Sequence, residues 1–278
     1  MAGETVLGGD HARIPGGKGA NQAVAAARLG RSVGFVGCIG DDPAGDELRA
    51  ALEGDGVATD FLTTLAGVPS GIALISVGPD GDNSIVVSPG ANGLVGEQHL
   101  ERAAGMLQHA AVTLLQLEIP VDTVTEAAET AGGVVILNPA PAQALTSRIL
   151  ESVDVLVPNE TELALLSGSS VATNFDEVVD QARLLPAART VVTLGAQGAL
   201  LVDETAVHHQ PAPAVQPVDT TAAGDAFCGA LADVLAEGAS LTDAMAWGVM
   251  VGAATTLRHG AQPSLPTAGD VAVLLQLD

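Results

Sequence analysis

The chain has 278 residues, enough for one large α/β domain with a substantial core and a small appendage. Hydrophobic residues make up 47% and charged residues 15%, which excludes a disordered chain. The formal net charge is −23, with one lysine (Lys18) and nine arginines, so nucleic acid and anionic membrane surfaces are not expected partners.

A phosphorylated small molecule is compatible with that charge, because a local nest of backbone N–H groups holds an anion inside an acidic protein. The opening MAGETVLGGDHARIPGG lacks the apolar core of a signal peptide, and the longest apolar stretch, AMAWGVMVGAATTL, is too short and Gly-rich to span a bilayer. A cytoplasmic chain is expected, with Cys38 and Cys228 as buried thiols of a reducing compartment. No repeat or low-complexity tract divides it, so residues 1–278 read as a single domain.

In chain order, GANQAVAAARLG carries helical spacing, and SVGFVGCIG (32–40) is near-continuously apolar, as a strand covered on both faces would be. AGDELRAALEGDG is the next helical pattern and closes on Gly. GIALISV, GPDGDN and SIVVSPG then read as a β-hairpin with an Asp-Gly turn, a small sheet placed to lie over a site. VTLLQLE (112–118), VVILN (134–138), DVLVPN (154–159) and TVVTLG (190–195) are further buried strands. The helical patterns VDTVTEAAETAGG and FDEVVDQARLLPAA fall among them. This alternation predicts a doubly wound, mostly parallel sheet with helices on both faces. Ligands of such sheets sit beyond the carboxyl ends of the strands, which directs attention to Asn21, Glu118, Asn138, Asn159, Gly195 and Asp225.

In DTTAAGDAF (219–227), small residues precede a helix whose first N–H groups are unpaired and favour an anion. Asp225 there suits a base that takes the proton of an alcohol attacking a phosphoryl group; it equally suits an N-cap. GGKGANQ (16–22) lacks Walker A spacing; Lys18 and Asn21 suit a polyol, or the stretch is a Gly-rich turn. Glu118 is either a functional strand-end acid or a solvated loop carboxylate. Asn159 and Glu162 have capping-box spacing, which explains both without a ligand. Gly195 and Gly198 fit a plain hairpin turn or a loop against a nucleotide, and RHGAQPS (258–264) fits a helix exit. His208 and His209 are adjacent on a strand and point to opposite faces, so no shared zinc is expected.

Together, GGKGANQAVAAARLG and DTTAAGDAF resemble the two signature regions of the ribokinase/phosphofructokinase-B carbohydrate kinases, ribokinase branch. QLEIP, NPAPA, PNETE, TLGAQG and HGAQPS follow in that family's order, so the resemblance spans the chain. It implies a doubly wound α/β kinase with a β-sheet lid, from about residues 1–15 and 68–90, often shared across a homodimer. The implied reaction is ATP-dependent phosphorylation of D-ribose at its 5-hydroxyl. Asp225 resembles the catalytic base, and Ala222, Ala223 and Gly224 the anion hole. Gly17, Lys18, Gly19, Ala20, Asn21 and Glu118 match sugar-binding positions. Asn159, Thr193, Leu194, Gly195, Ala196, Gln197, Gly198 and Gly224 match nucleotide contacts. Glu162 resembles the acid that organises Mg²⁺ through water. Asp219, Thr221, Thr255, Arg258, Gly260 and Ser264 match positions around a potassium ion, several through backbone carbonyls.

Two departures accompany the resemblance. The family opens with a strand ending in Asn-x-Asp, whose Asp holds two sugar hydroxyls; the sequence starts at AGETV, beyond it, so a sheet and a sugar site without those parts are expected. Val249 stands where relatives often carry a polar residue near adenine. Competing expectations are a kinase for deoxyribose, another furanose or a nucleoside, and a sugar- or nucleotide-binding homologue without catalysis.

Overall fold

The computed structural model describes residues 13–77 and 83–275. The chain runs α1 (Lys18–Arg28), β1 (Gly34–Gly40), α2 (Pro43–Gly54), β2 (Ala58–Leu65), β3 (Ile72–Val77) and β4 (Asn83–Ser88). There follow α3 (Glu97–His109), β5 (Val112–Leu115), α4 (Val121–Thr130), β6 (Val134–Leu137), α5 (Ser147–Glu151) and β7 (Val155–Leu156). The last part holds α6 (Glu160–Ser167), α7 (Phe175–Arg183), β8 (Thr190–Thr193), β9 (Ala199–Val202), β10 (Val207–Gln210), α8 (Ala223–Ala236), α9 (Leu241–Thr255) and α10 (Ala268–Leu274).

The main sheet has the order β10-β9-β8-β7-β6-β5, parallel from β5 to β8 and antiparallel at β9 and β10. Its strands read as unbroken apolar runs because alternate residues enter different cores. Val135, Leu137, Leu156 and Val192 pack with α3 to α7, whereas Ile136, Val155 and Val191 pack with α8 and α9. The α/β fold with helices on both faces is therefore as expected. The ladders are shorter than the runs: DVLVPN contributes only Val155–Leu156, since Pro158 has no N–H to donate and the chain turns out of the sheet into the α6 cap.

β1 and β2 form a separate parallel pair, and among the described residues no ladder joins them to β5. Ile39 of β1 and Leu62 of β2 share a core with α1, α8 and α9, while Val36 and Phe61 pack toward the core of α3 to α7. The expected hairpin is β3–β4, antiparallel, with Leu74 opposite Val86. The Asp-Gly turn within 78–82 and residues 1–12 of the expected 1–15 lid segment lie outside the described residues, and residues 13–15 form no strand. Cys38 and Cys228 are both buried free thiols.

Candidate active site

The stretch DTTAAGDAF folds as the entry to α8. Ala222 caps the helix at φ 61°, the single non-glycine residue with positive φ among the described residues. Left-handed backbone costs an alanine about 1–2 kcal/mol and persists where the surroundings enforce it. The Ala223 N–H reaches the Thr220 carbonyl at 3.3 Å, and the first helical bond runs from Ala226 to Ala222. The N–H groups of Gly224 and Asp225 thus begin the helix without intrahelical acceptors, where the dipole favours an anion.

Asp225 is not the cap. It is the third residue of α8, 8% exposed, and its carboxylate turns to α1. Asn21 Nδ2 donates to Oδ2 at 2.8 Å and Gln22 Nε2 donates to Oδ1 at 3.0 Å. Burial pushes the Asp225 carboxyl above its ordinary value, against the Lys18 charge and the two amide donors. Asn21 Oδ1 is buried with no partner in the protein, an acceptor that a hydroxyl-bearing ligand would satisfy.

Gly17 caps α1 at φ 94°, a turn open to glycine, and the next N–H, from Lys18, donates to Glu118 Oε2 at 2.8 Å. Glu118 is half-buried, and burial raises its carboxyl while the Lys18 N–H and charge oppose the shift. A Cβ on Gly19 would lie 2.8 Å from Gln116 Oε1, so a side chain there would displace the Gln116 amide. Ala20 is buried in the first turn of α1.

A cleft of about 220 Å³ lies beyond the carboxyl ends of β6, β7 and β8. Asn138, Asn159 and Thr193 line it from the strand ends, Ala222, Gly224 and Asp225 from α8, and Lys18 from α1. Glu162 also faces it, and its link to Asn159 is a reciprocal capping box: Asn159 Oδ1 accepts from the Glu162 N–H and Glu162 Oε2 from the Asn159 N–H, each at 2.8 Å. Burial raises the Glu162 carboxyl, opposed by the Asn159 N–H. Thr193 alone of the expected loop 193–198 lines the cleft; Leu194 is in the core, and Gly195, Ala196 and Gln197 form an exposed 3-10 turn. Gly195 (φ 54°) and Gly198 (φ 93°) make that turn an ordinary link between antiparallel β8 and β9. Val249 is buried between α9 and the sheet.

The residues expected around a monovalent ion gather on the far side of the α8 entry. Asp219 accepts from the N–H of Thr221 at 2.9 Å and of Gly260 at 2.8 Å. Burial works to raise the Asp219 carboxyl, but these N–H groups hold it below its ordinary value. The Thr255 and Ser264 hydroxyls donate to the Val251 and Ala261 carbonyls, and Arg258 turns to Asp270 at 3.1 Å. The loop therefore offers one ionised carboxylate and backbone oxygens, a donor set that fits a hard cation. Among the described residues no three His, Cys, Asp or Glu side chains gather as a metal cage. A lone acid such as Glu162 fits Mg²⁺, which keeps waters and binds largely through phosphates. His209 Nε2 lies 2.7 Å from the Gln197 carbonyl.

Three amides that spacing does not single out as a group join the site. Gln116 Nε2 donates to Gln22 Oε1 at 2.6 Å, Gln22 Nε2 to Asn138 Oδ1 at 3.1 Å, and Asn138 Nδ2 to the Val157 carbonyl at 2.9 Å. The available hint is a polar Gln22 set on the apolar side of an Ala-rich helix.

The profile of the pfkB family carbohydrate kinases matches residues 2–268. The ribokinase of Haemophilus influenzae is 37% identical, across 95% of this chain and 88% of its own. The deoxyribokinase of Salmonella typhi is 38% identical, across 91% of this chain and 84% of its own. The structure of Arabidopsis thaliana ribokinase complexed with ribose and ATP superposes with a TM-score of 0.89 at 32% identity, covering 100% of this chain and 93% of that one.

Proposed function

The chain belongs to the pfkB family of carbohydrate kinases, and within it we propose that it transfers the γ-phosphoryl group of ATP to the 5-hydroxyl of D-ribose. The observation that carries this reading is the buried Asp225 carboxylate beside the open N–H groups at the start of α8, in one cleft with Lys18. A base for an alcohol and a cradle for an anion are what phosphoryl transfer asks of a protein.

In this reading Gly17, Lys18, Gly19, Ala20, Asn21 and Glu118 hold the sugar, with the buried Asn21 Oδ1 accepting from a hydroxyl. The 5-oxygen attacks the γ-phosphorus, the bond to the β-phosphate oxygen breaks, and the hydroxyl proton passes to Asp225. The open N–H groups of Gly224 and Asp225 face the charge on the transferred oxygens, with Ala222 and Ala223 forming the turn that presents them. Asn159, Gly224 and residues 193–198 flank the nucleotide. Glu162 would hold Mg²⁺ through water, and the ion would supply neutralisation of phosphate charge. Asp219 would hold a potassium ion with Thr221, Thr255, Arg258, Gly260 and Ser264, the latter largely through backbone oxygens, and its charge would support the α8 entry.

The 278 residues act in this reading as one cytoplasmic kinase domain; no described helix is long and apolar enough to cross a membrane. The β3–β4 lid presents Ile72, Leu74 and Val86 at 55%, 60% and 63% exposure. A two-stranded sheet so apolar needs cover, and a second copy in a homodimer supplies it. Deoxyribose is a second substrate reading, favoured by a deoxyribokinase relative as similar as the ribokinase one.

The test is a sugar panel with ATP, Mg²⁺ and K⁺, following ADP release and product by phosphorus NMR. Ribose should show the highest kcat/KM, with phosphate on its 5-oxygen. A higher kcat/KM for 2-deoxyribose would move the assignment there, and no sugar-dependent ADP release would overturn the kinase.

A further inference from the structure

The Asp225 carboxylate is oriented by side-chain amides whose polarity the backbone decides. Asn138 Nδ2 donates to the Val157 carbonyl, which can only accept, so Asn138 Oδ1 faces Gln22. Gln22 must then present its nitrogen to two acceptors, Asn138 Oδ1 at 3.1 Å and Asp225 Oδ1 at 3.0 Å, using both hydrogens. Its oxygen is held by Gln116 Nε2 at 2.6 Å. Flipping the Gln22 amide would set oxygen against oxygen twice. The side chain is 1% exposed, so water cannot relieve the mismatch.

We propose that Gln22, locked by Gln116 and Asn138, is a positioning residue that keeps the Asp225 carboxylate ionised and at a fixed angle to the strand ends of the cleft. The inference rests on reading Asp225 as the base. Asn138 follows β6 and Val157 follows β7, so the base is referenced to the edge where the phosphoryl donor is proposed to lie, through a residue outside the sugar and nucleotide contacts. The other charged or titratable groups facing Asp225 are Lys18 of α1, Glu118 beyond β5, Glu162 of α6 and Cys228 of α8. Of these only Lys18 favours the ionised form by charge, and the Asn21 and Gln22 amides add to it by hydrogen bonding.

The experiment compares the pH profile of kcat in the full chain with those of Gln22→Met, Gln116→Met and Asp225→Asn. Removing a donor to a charged form raises the pKa of that form. Gln22→Met should move the acidic limb up by about one pH unit or more, the scale of one hydrogen bond to a charge. Below the limb kcat should fall about tenfold, with both KM values nearly unchanged. Gln116→Met, two residues removed from the base, should shift the limb the same way by less, and carries the test if Gln22→Met does not fold. A limb that stays in place while melting temperature drops would show a packing role and overturn the proposal. Parental turnover in Asp225→Asn would instead overturn the base itself, and this proposal with it.

Discussion

The backbone N–H of Lys18 donates to Glu118 Oε2 at 2.8 Å, joining the entry of α1 to a strand end 100 residues later. Both residues belong to the proposed sugar site, and in that proposal the other Glu118 oxygen would accept from a sugar hydroxyl. Glu118→Ala should raise KM for ribose by about tenfold to a hundredfold, the scale of a charge-assisted hydrogen bond. KM for ATP should hardly change. Steady-state kinetics with each substrate varied in turn check this, and parallel rises in both KM values would place Glu118 elsewhere.

Burial raises the carboxyls of Asp225, Glu118 and Glu162. A group whose folded pKa exceeds its unfolded one stabilises the fold fully below the unfolded value and loses that contribution as pH rises through the folded one. Asp219 and Asp270 are shifted the other way, Asp270 to about 2, so their contribution is lost only below the ordinary carboxylate range. Above the ordinary carboxylate range the raised acids set the sign of the pH dependence. Mild acidification also relieves the self-repulsion of a chain at −23. Thermal melts at moderate salt should therefore show higher stability near pH 5.5 than near pH 7.5, while activity falls. A melting temperature that drops with acid over this range would contradict the assignment of buried, raised carboxylates.

Much of this fold was legible because its causes are local. The Asn159–Glu162 box forms as its three-residue spacing predicts, and the same two residues still line the cleft, so a structural explanation did not exclude a position in the site. The β3–β4 hairpin and the alternation of helices and strands were equally readable. Strand lengths were not, since an apolar run such as DVLVPN records burial on two faces rather than ladder hydrogen bonds. An N-cap and an N3 carboxylate look alike in sequence, and only the φ of Ala222 places Asp225 inside α8. The Gln116–Gln22–Asn138 chain was beyond reach, because its bonds span 94 and 116 residues and have no spacing to betray them.

Asp219 binds the Gly260 and Thr221 N–H groups and so ties the exit of α9 to the entry of α8. If a potassium ion completes this junction, activity should rise when sodium is replaced by potassium at equal ionic strength, and Asp219→Ala should abolish the response. Equal rates of the parent in both salts would sink the ion site.

Leu74 and Val86 face each other across the β3–β4 pair at 60% and 63% exposure. Leu74→Asp should convert a dimer into monomer in sedimentation velocity, since an unpaired charge is costly in an apolar interface. A parent that sediments as a monomer at all concentrations would exclude the homodimer.

The most direct measurement is a side-by-side assay of the parent chain and Asp225→Asn with ATP, Mg²⁺, K⁺ and ribose, with ATP binding titrated on the same preparations. The parent should form ribose 5-phosphate in step with ADP. Asp225→Asn should bind ATP as the parent does and turn over at least about a hundredfold more slowly, the scale of a lost general base. Ribose phosphorylation by Asp225→Asn at the parental rate would contradict a mechanism built on this carboxylate.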